Sequence, residues 1–166
     1  MEDLVAHLPR LRRYARALTG DRHLADDLVQ DTLERALARS SLWQRGSRLD
    51  SWLLTIMHNL FVNQVRAHAR HATEALDELP AEPAQRAMQT DALEVRDLNG
   101  ALLALPVEQR AVLLLVTLDE RSYEETARIL DIPVGTVMSR LSRARERLRQ
   151  LLDGGVQAAP ALKVVK

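Results

Sequence analysis

The sequence predicts an all-α protein of two small helical domains joined by an acidic flexible linker. Three observations carry that prediction. Apolar residues recur three and four apart through most of the chain, the spacing of one helix face. Sustained alternation of β-branched residues, the mark of strands, is nowhere found. Only five residues are aromatic, Tyr14, Trp43, Trp52, Phe61 and Tyr123, so the cores must come from Leu, Val and Ala, which suits helix packing.

Leu4, Leu8, Leu11, Ala15 and Leu18 form the first stripe, which ends at Gly20. Asp21 is placed to cap a second helix. In it Leu24, Leu28, Thr32 and Ala36 trace one side, widened by Val29, Leu33 and Leu37. Residues 40–49, SSLWQRGSRL, predict a loop. A long helix is expected from about Asp50 to His71, with Trp52, Ile56, Leu60, Asn63 and Ala67 near one face and Leu53, Met57 and Phe61 alongside. Residues 72–85 hold Pro80 and Pro83 among acids, the composition of a linker. Helical character resumes near Arg86 or Met88 and runs to Leu105. Pro106 starts another helix, whose run Val112–Val116 is apolar nearly all round and so belongs at the centre of the second core. The expected divisions are 1–71, a linker over 72–97 leading into a helix, 98–152, and a tail over 153–166 whose two glycines and proline predict fraying.

Residues Ser122–Arg149 read as a helix, a tight turn and a second helix carrying five arginines. Ser122 and Glu125 have the spacing of a capping box. Ala127 is small enough to let a second helix approach closely. Asp131 falls at a turn that often needs positive φ, where Asp is tolerated better than most residues. Pro133 suits a helix start, because its missing N–H costs nothing there. Val134, Val137, Leu141, Ala144, Leu148 and Leu151 form one apolar stripe, leaving Thr136, Ser139, Arg140 and Arg143 off it. This is the sequence form of a helix-turn-helix, which places its second helix in the DNA major groove. The bland alternative, a solvated arginine-rich helix, does not explain box, turn and stripe in that order.

The formal net charge is zero, yet it is unevenly spread. Residues 1–70 hold eleven arginines and eight acids, residues 71–97 two and seven, and residues 98–152 eight and seven. Two mildly basic blocks flank an acidic middle, and local patches rather than the total govern nucleic-acid binding. Few phosphate contacts imply that the free chain binds DNA weakly. There is no cysteine, which excludes disulfides, a thiol sensor and a cysteine-ligated zinc site. The early acids do not make a signal peptide, and no apolar run approaches the ~20 residues of a membrane span, so membrane insertion is not expected and the cytoplasm is the expected location. No nucleophile, histidine partner or phosphate loop accompanies the carboxylates, so neither an enzyme nor a cofactor or metal is expected.

Leu18-Thr19-Gly20-Asp21, Ala25-Asp26-Asp27-Leu28-Val29-Gln30-Asp31-Thr32, and Trp52-Leu53 with Asn59-Leu60 resemble region 2 of bacterial RNA polymerase sigma factors. Ser122-Tyr123-Glu124-Glu125-Thr126-Ala127, Ile132-Pro133-Val134-Gly135-Thr136-Val137 and Ser139-Arg140-Leu141-Ser142-Arg143-Ala144-Arg145 resemble region 4. A chain with only these two regions resembles the extracytoplasmic-function (ECF) group, over roughly residues 5–152.

The resemblance implies roles for these residues. Asp26, Asp27, Asp31 and Glu34 would face the basic clamp helices of the polymerase largest subunit, with Leu28, Val29 and Gln30 adding packing and amide contacts. Without the resemblance, Asp27, Asp31 and Glu34 read as a solvated acidic face. Trp43, Gln44, Arg45, Ser47 and Arg48 would hold the opened −10 element, where stacking is worth about 1–3 kcal/mol per base. Trp43 either stacks on a base or folds back on the core, and Trp52 reads as mainly structural. His58, Asn59, Asn63, Arg66 and Arg70 would track the strand, or are ordinary surface. Ser139, Arg140 and Arg143 would read the −35 element, Tyr123, Glu124 and Thr136 would position the helix, and Arg147 continues the same surface. Met138 stands where the family commonly has Lys or Arg, and Asp131 where it often has Gly. The acidic linker would thread toward the polymerase active centre, or is a solvated spacer.

The resemblance thus implies an ECF-type sigma factor, not an enzyme. It would direct core RNA polymerase to promoters, bind the clamp helices and flap, and answer to an anti-sigma factor. The alternative is a stand-alone helix-turn-helix transcriptional regulator, which leaves the DLVQD block unexplained. A third possibility is a sigma-like mimic that binds partners and not DNA.

Overall fold

The structure, a computed structural model, describes residues 4–74 and 90–157, without the side chains of 74, 90–95 and 155–157. The expected linker core therefore lies outside the described residues. Those described form seven α-helices and no strand: α1 Leu4–Thr19, α2 Arg22–Ala38, α3 Leu49–Glu74, α4 Thr90–Ala104, α5 Val107–Thr117, α6 Tyr123–Leu130 and α7 Val134–Gln157, with a 3-10 turn at Ser40–Leu42.

In the N-terminal half α2 packs against both α1 and α3. Leu11, Tyr14, Ala15 and Leu18 of α1 meet Ala25, Leu28, Val29 and Ala36 of α2 and Leu53, Leu54, Met57 and Phe61 of α3 in the core. Asp21 caps α2 as expected, accepting from the Leu24 N–H at 2.9 Å. Leu24 and Leu37, expected to line the buried side, are exposed. They flank a stripe centred on Ala25, Leu28 and Thr32, and the burial of Ala25 and Val29 draws the helix round. Gly20 ends α1 at φ 71, a left-handed conformation suited to glycine, and a Cβ there would lie 2.5 Å from Leu103 Cδ1 of α4.

In the C-terminal half α5 is the central helix, with Ala111 to Leu115 all buried. It packs on α6 and α7, and α7 also meets α4. Helix α7 continues through Asp153 and Gly154 to Gln157, so the chain does not fray from Asp153 as the glycines predict, and the rest of the expected tail lies outside the described residues. Glycine lowers helix propensity by about 1 kcal/mol without stopping a helix already nucleated for five turns.

The halves also touch. Helix α3 packs on α6, and α1 on α4 and α5. Arg110 of α5, buried, fans out to the Leu102, Leu103 and Leu105 carbonyls at the end of α4 and to the Leu18 carbonyl at the end of α1, at 2.7 to 3.0 Å. A cation at two helix C-termini is favourable because each presents unpaired carbonyls.

Candidate nucleic-acid interface

The helix-turn-helix is built as its sequence requires. The Glu125 N–H donates to Ser122 Oγ at 3.1 Å and the Ser122 N–H to Glu125 Oε2 at 3.3 Å, closing the capping box. Asp131 has φ 53 and φ-matched ψ 53, the left-handed turn that lets the Ile132 N–H reach the Ala127 carbonyl at 3.0 Å. Val137, Leu141 and Ala144 bury one face of α7. Met138, Ser139, Arg143 and Arg147 are exposed, while Thr136 and Arg140 are half-buried. Met138 lines a cavity of about 640 Å³ with Tyr123, Arg145 and Arg149, so it flanks the exposed arginines of α7. Glu124 is exposed at the start of α6, and Tyr123 is half-buried.

On α2, Asp26, Asp27, Gln30, Asp31 and Glu34 are exposed. Gln30 Nε2 donates to Glu34 Oε1 at 3.0 Å, and Gln64 of α3 to Asp31 Oδ2 at 3.2 Å. Leu28, expected to help dock a partner, is fully buried in the N-terminal core and cannot do so, and Val29 is buried with it. Their place on the stripe that packs on α1 and α3 is the physical reason.

In the loop, Gln44, Arg45, Ser47 and Arg48 are exposed. Trp43 is half-buried, and its Nε1 is enclosed with no hydrogen-bond partner among the described residues. Trp52 packs against the core as expected. Asn59, Asn63, Arg66 and Arg70 lie exposed along α3.

His58 differs from its neighbours. Burial drives its pKa down to about 4, the charge of Arg140 on α7 adds to the fall, and Glu108 on α5 opposes it. The charge of a residue of the expected −35 surface is thus felt at one of the expected −10 surface. Folded His58 stays neutral where an unfolded one binds a proton, so stability declines as pH falls from about 6.5 toward about 4. Denaturant melts should show wild type losing roughly 1 kcal/mol per pH unit more than His58→Gln across that window. Equal slopes would show that the imidazole is hydrated.

Charged side chains join the halves. Arg121 Nη2 meets Asp50 Oδ2 at 2.6 Å and Arg121 Nε meets Asp119 Oδ2 at 2.7 Å, with Arg121 and Asp119 buried. Arg10 donates to Asp119 Oδ1, to the Asp119 carbonyl at 2.7 Å and to Asp50 at 3.3 Å. Arg48 pairs with Glu125 and with Asp50 at 3.3 Å. Burial raises the Asp50 pKa, but the hydrogen bond and charge of Arg121, the Ser51 N–H and Arg48 outweigh it and hold the carboxyl below its usual value. None of Arg10, Asp50, Asp119 or Arg121 stood out as a site residue in the sequence, because charged residues near helix ends look solvated until their partners are known. Arg110 carried a signal: an arginine two residues before the apolar run Val112–Val116, in a helix placed at the centre of a core, needs buried acceptors.

Comparison with known proteins decides the family. A family model described as the Sigma2 domain of PhyR matches residues 4–58, and one described as Sigma-70, region 4 matches residues 96–148. The chain is 41% identical over 161 residues to the ECF RNA polymerase sigma factor EcfG of Rhodopseudomonas palustris, covering 96% of this chain and 89% of that protein. The chain belongs to the ECF sigma factor family. It is 35% identical over 147 residues to ECF sigma factor SigM of Bacillus subtilis, with coverage of 87% and 89%. Among solved structures it is similar to sigma factor RpoE in complex with anti-sigma factor NepR from Bartonella quintana, with TM-score 0.78, 37% identity and coverage of 92% and 95%. It also shares its fold with the anti-anti-sigma factor PhyR of that organism, with TM-score 0.61, 21% identity, and coverage of 89% of this chain and 48% of PhyR.

The family gives the helix-turn-helix its meaning. As an ECF sigma factor, the chain directs RNA polymerase to promoters, with regions 2 and 4 as its recognition domains. No helix among the described residues is long and apolar enough to cross a membrane.

Proposed function

We propose that region 2 offers Asp26, Asp27, Gln30, Asp31 and Glu34 to the clamp helices of the polymerase largest subunit. The loop residues Gln44, Arg45, Ser47 and Arg48, with Asn59, Asn63 and Arg66 of α3, hold the opened −10 strand. Region 4 rests on the flap and reads the −35 element with Ser139 and Arg143, flanked by Met138 and Arg147. The chain works in the cytoplasm and is held in check by an anti-sigma factor, as RpoE is bound by NepR. It lends specificity to polymerase and performs no catalysis of its own. The boundaries 1–71 for region 2 and 98–152 for region 4 belong to the same proposal.

The observation that carries this reading is the arrangement of α7. Its apolar stripe is buried against α5, which leaves Ser139, Arg143 and Arg147 on an open surface behind a correctly capped α6. Arg can bond bidentately to guanine, worth about 1–3 kcal/mol of discrimination for a good pair. Holoenzyme carrying Arg143→Ala should therefore lose roughly 10-fold or more in preference for its −35 sequence over a scrambled one, measured by anisotropy on labelled promoter DNA. Its affinity for core polymerase should not change. Unaltered promoter preference would remove Arg143 from the reading surface.

A second reading has one observation behind it: the region 2 match is to the Sigma2 domain of PhyR, whose protein is an anti-anti-sigma factor. A mimic of that kind would bind an anti-sigma factor and leave DNA alone. Identity of 41% along nearly the whole chain to an ECF sigma factor favours promoter reading.

A further inference from the structure

We propose that Met138 selects a thymine in the −35 element through its C5-methyl group, seating that methyl at the apolar end of a groove that Met138 and Leu141 of α7 form with Tyr123 of α6. The proposal rests on the promoter-reading function and names the base chemistry that this surface rewards.

Met138 has no part in holding the domain together. Val137, Leu141 and Ala144 supply the buried face of α7, and Met138 lies off that face with 53% of its surface exposed. Among the described residues of α7, Leu151 is the other exposed large apolar side chain, thirteen residues further on. Met138 stands close to the start of α7 at Val134. In a helix-turn-helix it is the N-terminal part of the second helix that reaches base edges. An exposed apolar side chain thus stands at a base-reading position, where packing gives it no reason to be apolar.

The surroundings of Met138 narrow the choice of base. Met138, Ser142, Arg145 and Arg149 recur four, three and four apart, so they share one flank of α7, next to the flank of Ser139 and Arg143. With Tyr123 and Leu141 they line the open cavity of about 640 Å³. The groove is therefore apolar at Met138 and cationic at Arg145 and Arg149. Arg149 pairs with Glu146, whereas Arg145 pairs with no acid among the described residues. DNA offers the complement, with base edges inside the major groove and phosphates along its rim. Met138 has no donor for a phosphate, and its thioether is a weak acceptor. The major groove displays one apolar group, the thymine methyl, among donors and acceptors. A flexible, polarisable thioether can close on that methyl. Guanine or cytosine in its place would leave polar atoms unpaired beneath an apolar side chain, which is costly.

Deoxyuridine tests this in the DNA itself, because it lacks the C5-methyl and keeps every donor and acceptor of thymine. The probes are labelled duplexes of a promoter mapped by run-off transcription. Each thymine of the −35 element, on either strand, is replaced singly by deoxyuridine, and one further duplex carries a scrambled −35 element. Binding by wild-type and Met138→Ala holoenzyme is read by anisotropy. For wild type, deoxyuridine at one position should weaken binding about 4-fold, the worth of roughly one buried methyl group. Met138→Ala should bind the thymine and deoxyuridine forms of that position equally, and the thymine form at least as weakly as wild type binds the deoxyuridine form. The side chain is exposed, so the variant should melt within a degree or two of wild type. Met138→Gln, of similar length and helix propensity, serves in its place if the alanine variant melts early. A −35 element without an A·T pair would overturn the assignment. So would a wild type indifferent to every deoxyuridine, or a loss at one position that persists undiminished in the variant. If wild-type holoenzyme binds the scrambled duplex as tightly as the intact one, the promoter-reading premise has failed, and the proposal falls with it.

Discussion

Asp31→Arg is expected to abolish measurable binding to core polymerase, a loss of about 100-fold or more, with no fall in melting temperature beyond a degree or two. The side chain is exposed on α2 and among the described residues it accepts from Gln64 alone, at 3.2 Å, so the fold asks little of it. Surface changes away from packed or paired groups usually move stability by less than about 0.5 kcal/mol. Against a basic partner the new cation replaces attraction by like-charge contact, which costs several kcal/mol. Titration of labelled protein with core polymerase measures the first quantity and a thermal melt the second. Retained binding would place the docking face elsewhere. Leu28→Ala makes the complementary case: its side chain is fully buried, so it should destabilise the fold rather than act as a contact mutation.

Asp119→Ala is expected to be the most destabilising change outside the hydrophobic cores, at about 3–5 kcal/mol. Asp119 is 2% exposed and accepts from both Arg10 and Arg121. Its loss leaves the buried Arg121 guanidinium with one carboxylate, Asp50, and Arg10 with only backbone and a long contact. Breaking a buried pair from one side is costly because the remaining charge stays desolvated. For a chain of this size the melting temperature should fall by roughly 6–20 °C. Asp119→Asn keeps an acceptor for one arginine and should fall between. A drop of under about 1 kcal/mol for Asp119→Ala would show that water reaches the cluster and that its ion pairs behave as surface pairs.

The helices, the cap at Asp21, the capping box and the turn at Asp131 were legible because each is written within a few residues of itself. Periodicity marked Leu11, Leu18, Val137 and Leu141 as core, and all are buried. It could not say how far a stripe turns on its axis, which is why Leu24 and Leu37 ended outside, while Leu28, which the same spacing put on the stripe, is core and not the contact residue the resemblance implied. The arginines of α7 were legible as a set. That the charge of Arg140 would reach His58 was not, since these residues are far apart in sequence. The same holds for Arg10 and Asp119, which lie 109 residues apart. Contacts of that kind depend on the packing of regions 2 and 4, and nothing in either region's local pattern announces the other.

The central claim is that this chain gives core polymerase a promoter choice. Run-off transcription with core polymerase from the source organism, on a genomic template library with and without the protein, tests it most directly. The account predicts discrete promoter-specific transcripts that appear only when the protein is present and disappear with Asp31→Arg. An unchanged transcript pattern, together with tight operator binding by the protein alone, would contradict it.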